Sequence, residues 1–291
     1  MDLAPAEAFS FDGQHFMGGN AVQVTFAAPS GAHYVADAFW RASTQQFAAR
    51  AYCGAEGLWT WNVTAAGAST GLLGLTGSFT VEALLTVAQA RVPGKLQVSA
   101  VDPHQLAYAN GRWFSHLADT GLSYTDPAET AWKEYLHEAA AAGFNKIRVW
   151  LPGVDTFLGS LLDDAAFAVV DERVVYAYKH YPHIQLEVTV YGQSAQALRE
   201  YGNDPRIPLI GRMTVAMLAA LPTVHFCVLN GGKLREDGVE LTRTYDIYES
   251  TILAAGRDLG RWDPWHSIIT NVESRNNGFN LPATGYTPRN K

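Results

Sequence analysis

Asp119, Trp150, Asp155, Tyr191, Gln193, Asn230, Asn271 and Glu273 fall at or just beyond the C-terminal ends of segments that read as β-strands. Ligands of barrels and open α/β sheets sit at those strand ends. Carboxylates, amides and aromatic rings are the groups that hold sugars: a ring stacks on the apolar face of a pyranose, and acids and amides fork onto pairs of hydroxyls. Cutting a glycosidic bond asks for more, namely two carboxyl groups ~5–5.5 Å apart for retention or ~6.5–9.5 Å apart for inversion. Asp119 and Glu273 are the candidates for such a pair, and their separation is not legible in sequence. Each residue also has a structural role open to it. Asp119 can cap the turn to Thr120 and Gly121, Trp150 and Tyr191 can pack inside, Asn230 ahead of two glycines can form a tight turn, and Glu273 can be a solvated charge. Arg148 alternates with Ile147 and Val149, so it is expected to be buried against a partner, Asp119 or Glu187.

The segments that position these residues alternate in type. Phe144–Leu151, Ile184–Tyr191, Val224–Leu229 and Ser267–Val272 read as strands, with Trp113–Asp119 as a shorter one ahead of them. Between them Asp126-Pro127 opens a helix that ends at Gly143, and 165–180, 207–221 and 241–259 carry helical spacing. Pro222 stops the third of these. Strand–helix alternation of this length implies a parallel sheet with helices outside it. Asp163 and Asp164 sit just before a helix, where acids are favoured by the dipole alone.

Residues 1–100 have another texture, with few charges and short alternating runs. Ala21–Phe26, His33–Trp40, Gln46–Tyr52, Gly57–Thr64 and Gly77–Val81 read as strands separated by turns, which predicts an antiparallel β-sandwich. In the fourth run Leu58, Thr60, Asn62 and Thr64 face one way, and Trp59, Trp61 and Val63 face the core. The fold class expected is therefore multidomain, β plus α/β. A β-sandwich over 1–100 precedes an incomplete TIM-like (β/α) barrel of about five strands over 101–275, and 276–291 is an irregular tail.

Composition excludes several classes. With 48% hydrophobic and 17% charged residues the chain builds a core. A net charge of −7 without a Lys/Arg run argues against nucleic acid. No apolar stretch reaches the ~18–20 residues of a membrane span. The start MDLAPAEAF lacks the basic and apolar regions of a secretory leader, which leaves the location open, with virion and cytoplasm both allowed. Cys53 and Cys227 are far apart and form no disulfide framework, and His180 and His183 have no third ligand nearby, so no metal and no cofactor is expected. Phosphate loops, dinucleotide fingerprints and the nucleophile elbow are missing.

The runs VTFAAPSGAHYVADAFW, FAARAYCGAEGLWTWNVT and GLTGSFTVE resemble the β-sandwich domain that precedes the barrel in apiosidase-like and cellulase-like glycoside hydrolases. GKLQVSAVDPHQLAYANGRWFSHLADTGLSY is similar to the start of that family's catalytic barrel, AAAAGFNKIRVWLPG to its next strand, and VHFCVLNGG and DPWHSIITNV to two later ones. The resemblance runs over about residues 15–275 and rests on the order and spacing of these motifs. It implies a carbohydrate ligand, polysaccharide or oligosaccharide.

Two departures qualify it. Where the family shows Asn-Glu, this chain has Asn230-Gly231, and glycine cannot protonate a leaving oxygen. Glu236 and Asp237 lie six and seven residues further on. The residues after 104 also fall short of the about 250 of a full barrel, and nothing corresponds to the late strand that bears the nucleophile. The expectation is a degenerate, pseudoenzyme-like scaffold that binds a glycan with little or no hydrolysis. The alternatives are an appendage or virion assembly protein, and a glycosidase with relocated acids or one completed by another chain. Five parallel strands leave two open edges, to be covered by the sandwich, by self-association, by another protein or by the tail 273–291.

Overall fold

A computed structural model describes residues 2–3, 21–41, 44–67, 70–82, 94–151, 164–192, 196–243, 246–273 and 278–281; of the side chains, those at 2–3, Thr70, Asp164, Gln196, Ala197, Gly231, Gly232 and from Asn271 onward fall outside it. The first part is antiparallel. β1 (Asp2–Leu3), β5 (Gln46–Ala48) and β4 (Phe39–Arg41) form one sheet in that order. β3 (His33–Asp37), β2 (Gln23–Ala27), β6 (Gly57–Ala65) and β7 (Thr76–Val81) form a second. Strict alternation gives the second sheet one buried face, with Val24, Phe26, Trp59 and Val63 inside and Thr25 bonded to Thr64 at 3.1 Å outside. The expected inward set Trp59, Trp61 and Val63 is met, with Trp61 half-buried. His33–Trp40, read as one strand, divides between the two sheets. Ala36 to Trp40 are all buried, which no single one-faced strand allows, and Ala38 N–H turns to bond Val22 O at 2.8 Å.

A short hairpin, β8 (Leu96–Val98) and β9 (Leu106–Tyr108), follows and was not legible as such. Its Leu96 and Tyr108 join Phe114 and Ile268 in a small apolar cluster of their own.

The α/β part runs β10 (Ala118–Thr120), α1 (Trp132–Ala141), β11 (Lys146–Trp150), α2 (Asp164–His180), β12 (Gln185–Thr189), α3 (Gln196–Arg199), α4 (Arg206–Leu218), β13 (Val224–Arg235), β14 (Asp246–Tyr248), α5 (Glu249–Trp262), β15 (Ile269–Glu273) and β16 (Gly278–Leu281). Strands β10, β11, β12, β13 and β15 are parallel neighbours in sequence order. A sheet wound in one direction by right-handed crossovers keeps its helices on one face. That face carries Ile147, Val149, Leu186, Val188 and Phe226, all buried in the main core. The parallel five-strand sheet is thus as expected, and closure into a barrel is not seen among the described residues. β10 has β11 as its one partner there, with Leu117 and Leu122 exposed at its two ends.

Three local differences matter. β13 is twelve residues long, twice its sequence reading, because register shifts around Asn230 carry it past the glycines to pair with β14. The stretch read as helix from 241 begins as β14, and α5 starts at Glu249. Gly278–Leu281, read as irregular, pairs antiparallel with β15 and covers its edge.

The antiparallel part is fixed to the α/β part by charge and by one indole. Arg212 of α4 forks onto Asp37 at 2.6 and 3.0 Å, and Arg50 forks onto Asp171 of α2 at 2.6 and 2.9 Å. Trp265, between α5 and β15, packs on Tyr34 and Phe26 with ring centroids at 4.8 and 6.1 Å. Asp263 holds that turn by accepting from the Trp265 and Ser267 amides at 2.7 and 2.6 Å.

Candidate functional site

The face of the parallel sheet turned away from the helices is polar. Register places Arg148, Glu187 and His225 side by side across β11, β12 and β13, with Lys146 two residues before Arg148. Residues two apart share a face, so one charged row crosses three neighbouring strands. Glu187 is 1% exposed and stands at its centre. It accepts from Lys146 Nζ at 2.5 Å and from Arg148 Nε, and His225 Nε2 lies 3.4 Å from its Oε2. Burial alone would raise this carboxyl, but His225, Lys146 and Arg148 together hold it well below the usual range. His225 is pulled down by burial, against the pull of the Glu187 carboxylate and with Lys146 and Arg148 adding to the fall. His116 approaches the same group and is pulled down to about 4 by burial and by Lys146. Of the two partners open to Arg148, the structure gives it Glu187.

Towards the C-terminal strand ends the row opens. Arg148 Nη1 donates to Asn230 Oδ1 at 3.2 Å, so a cation and an amide from β11 and β13 meet where the sheet begins to be exposed. Trp150 follows Arg148 on the same face, 9% exposed, and its carbonyl accepts from the Thr125 hydroxyl. Thr189, its partner in register, is buried beside it. Arg148, Trp150 and Asn230 are the predicted and partner residues that the structure brings together.

Asp119 and Tyr191 lie elsewhere. Asp119 pairs in register with Ile147, so its side chain points to the helices, where its carboxylate accepts from the Tyr135 hydroxyl of α1 at 2.9 Å. Tyr191 is fully buried with its hydroxyl against Gly211 of α4, and its ring meets Tyr201 edge-on at 5.8 Å. Both lie near strand ends and turn to the helix side: Asp119 by its register with Ile147, and Tyr191 because the pairing turns irregular after Thr189, with the consecutive amides of Val190 and Tyr191 bonding the consecutive carbonyls of Cys227 and Val228. Glu273 pairs with Gly232 and Asn271 with Phe279 through their backbones. Their side chains lie outside the described residues, as do Asp155 and Gln193 altogether. Asp237, in the loop between β13 and β14, accepts from the hydroxyl of Ser250 in the first turn of α5 at 2.6 Å.

No cluster of three or more His, Cys, Asp or Glu suited to a metal ion occurs among the described residues. No helix among them is long and apolar enough to cross a membrane.

No family model and no curated protein sequence matches the chain. In structure it is similar to a protein of Bacteroides vulgatus ATCC 8482 described provisionally as a glycoside hydrolase, with a TM-score of 0.67 and 15% identity over 87% of this chain and 52% of that one. A family 5 glycoside hydrolase of the same organism gives a TM-score of 0.48 and 17% identity over 62% of this chain and 39% of that one. The first likeness is one of fold: the chain has a glycoside-hydrolase-like fold and spans about half the length of that solved structure.

Proposed function

We propose that this chain binds carbohydrate at the C-terminal ends of its parallel strands, at Arg148, Trp150 and Asn230, with little or no hydrolysis. Asn271, Asp155 and Glu273 follow from the same strand ends as further contacts. The observation that carries the reading is the state of Glu187. It is a carboxylate at the centre of the polar face of the sheet, and two cations and a histidine hold it ionised and buried. A glycosidase acid must keep its proton near neutral pH, which requires the opposite shift. Asp119 faces α1, and the residue after Asn230 has no side chain.

The test is to incubate the protein with plant, algal and bacterial polysaccharides and to measure both retention and new reducing ends. Retention without release is expected, weakened by Asn230→Ala. Release that disappears in Asp119→Asn or Glu273→Gln overturns the claim of inactivity.

A second reading, self-association or capture of another protein, is favoured by the single-sided β10 edge with exposed Leu117 and Leu122. Sedimentation at micromolar concentration separates it: a monomer whose state is unchanged by Leu122→Lys speaks against it.

A further inference from the structure

A cleft of about 900 Å3 opens between the antiparallel sheet and the α/β part. Its floor includes Ala220–Pro222, the turn that leads into the first residue of β13. It therefore lies at the opposite end of the parallel strands from Asn230. Its size falls within the roughly 300–1,000 Å3 of small-molecule sites.

Two features give it chemistry. The first is a pair of flat aromatic surfaces on β6 and β7. Trp61 pairs across the strands with Gly77, and a Cβ on that glycine would stand 2.5 Å from the indole. The ring therefore lies flat on the β7 backbone, and it is half-buried and lines the cleft. Any larger residue at 77 would lift it. Phe79, two residues on and on the same face, stacks on Trp59 at 6.2 Å with an interplanar angle of 11° and completes the wall. Tyr52 and Tyr178 also line the cleft.

The second feature is the sign of the polar groups. Glu56 and Glu82 line the cleft, are exposed, and have no ion-pair partner among the described residues. Arg50 also lines it, but its guanidinium is already held by Asp171 and by the Met217 carbonyl at 2.5 Å. The cleft thus offers aromatic faces and hydrogen-bond acceptors, with no uncommitted cation among its lining residues. Apolar ring faces with hydroxyl donors at their edges match it, and anionic sugars are repelled.

We propose that this cleft is a second carbohydrate site, which takes a short neutral oligosaccharide with pyranose faces on Trp61 and Phe79 and hydroxyls on Glu56 and Glu82. The carbohydrate class rests on the reading of the strand-end site; the location does not.

Calorimetric titration of the wild type, Trp61→Ala, Glu82→Gln and Asn230→Ala tests it, with cellotetraose, xylotetraose, mannotetraose and tetragalacturonate as probes. At least one neutral tetraose is expected to bind. Trp61→Ala weakens that binding about tenfold or more, Glu82→Gln weakens it several-fold, and Asn230→Ala leaves this component unchanged; a tenfold loss is about 1.4 kcal/mol. Should Trp61→Ala fail to fold, Trp61→Phe and the exposed Glu82→Gln decide. Neutral-sugar binding lost in Asn230→Ala and intact in the Trp61 and Glu82 variants overturns the cleft and leaves the strand-end site standing. Binding lost in the Trp61 and Glu82 variants alone supports the cleft even if the strand-end site fails. Binding of no neutral tetraose, or Trp61-dependent binding of tetragalacturonate, overturns the proposal.

Discussion

Replacing Glu187 with glutamine removes one charge and hardly any volume. It leaves Lys146 and Arg148, two residues apart on β11 and 10% and 21% exposed in their side chains, on one face of the strand without their shared counter-charge on β12. Removing one partner from a buried ion pair costs about 3–5 kcal/mol, because the charge left behind stays desolvated. For chains somewhat smaller than this one a kilocalorie lowers Tm by about 2–4 °C, so a fall on the order of 10 °C is expected by calorimetry at pH 7. Glu187→Gln combined with Lys146→Met should melt higher than the single variant, since one stranded cation is gone. The acid side adds an independent readout. The folded carboxyl lies below its unfolded value of 4.5, so the unfolded chain takes up the proton first. The wild type therefore holds this stability above pH 4.5 and loses it as pH falls further, whereas the variant has no such contribution to lose. A Glu187→Gln protein that melts within ~2 °C of wild type, with an unchanged acid slope, refutes the view that this carboxylate balances the row.

Further outcomes follow from other buried groups. His225 is 1% exposed and its folded pKa lies below 6.5, so it contributes stability above that pH which is lost as pH falls; His225→Gln should flatten the urea midpoint between pH 6.5 and 5. Lys95 is lowered to about 8, by burial first and against the pull of Asp263, so stability should rise between pH 8 and 10.5, and Lys95→Met should remove that rise in denaturant titrations. Gly211→Ala sets a helix-propensity gain of about 1 kcal/mol against overpacking of about 1–3 kcal/mol. Its Cβ would stand 2.3 Å from the Tyr191 hydroxyl and 2.8 Å from Leu259, both fully buried, so net loss in thermal melts is expected. Asp37→Asn weakens the fork from Arg212 and should cost about 1.5–3 kcal/mol, measured by urea unfolding; an unchanged midpoint would show that this fork does not join the two parts.

The parts legible in sequence were those whose period is long enough to be unambiguous. The nine residues of β6 alternate cleanly, and the parallel strands carry β-branched runs between helices. β8 and β9 are three residues each, too short for any period to register, so the hairpin was missed. β13 was cut short because Asn230-Gly231-Gly232 reads as a turn, while its pairing with β15 tolerates bulges there. Position along the chain is easier to read than direction: the pleat sends Asp119 under the helices, and the irregular pairing after Thr189 does the same for Tyr191. Arg148 reads in sequence as a buried cation between Ile147 and Val149 that needs an acid, Asp119 or Glu187, and the structure pairs it with Glu187.

The seating of Trp265 on Tyr34 and Phe26 sets a schedule for the nascent chain. The antiparallel strands leave the ribosome before the α/β part, and the indole that caps their inner face is synthesised roughly 230 residues after Tyr34. Until then Phe26, Tyr34 and Trp59 form an apolar surface with no cover from that side. Closing so long a loop is slow relative to local pairing. Ribosome-bound chains stopped before Trp265 should therefore recruit chaperones through this sheet, and chains extended past Ser267 should release them.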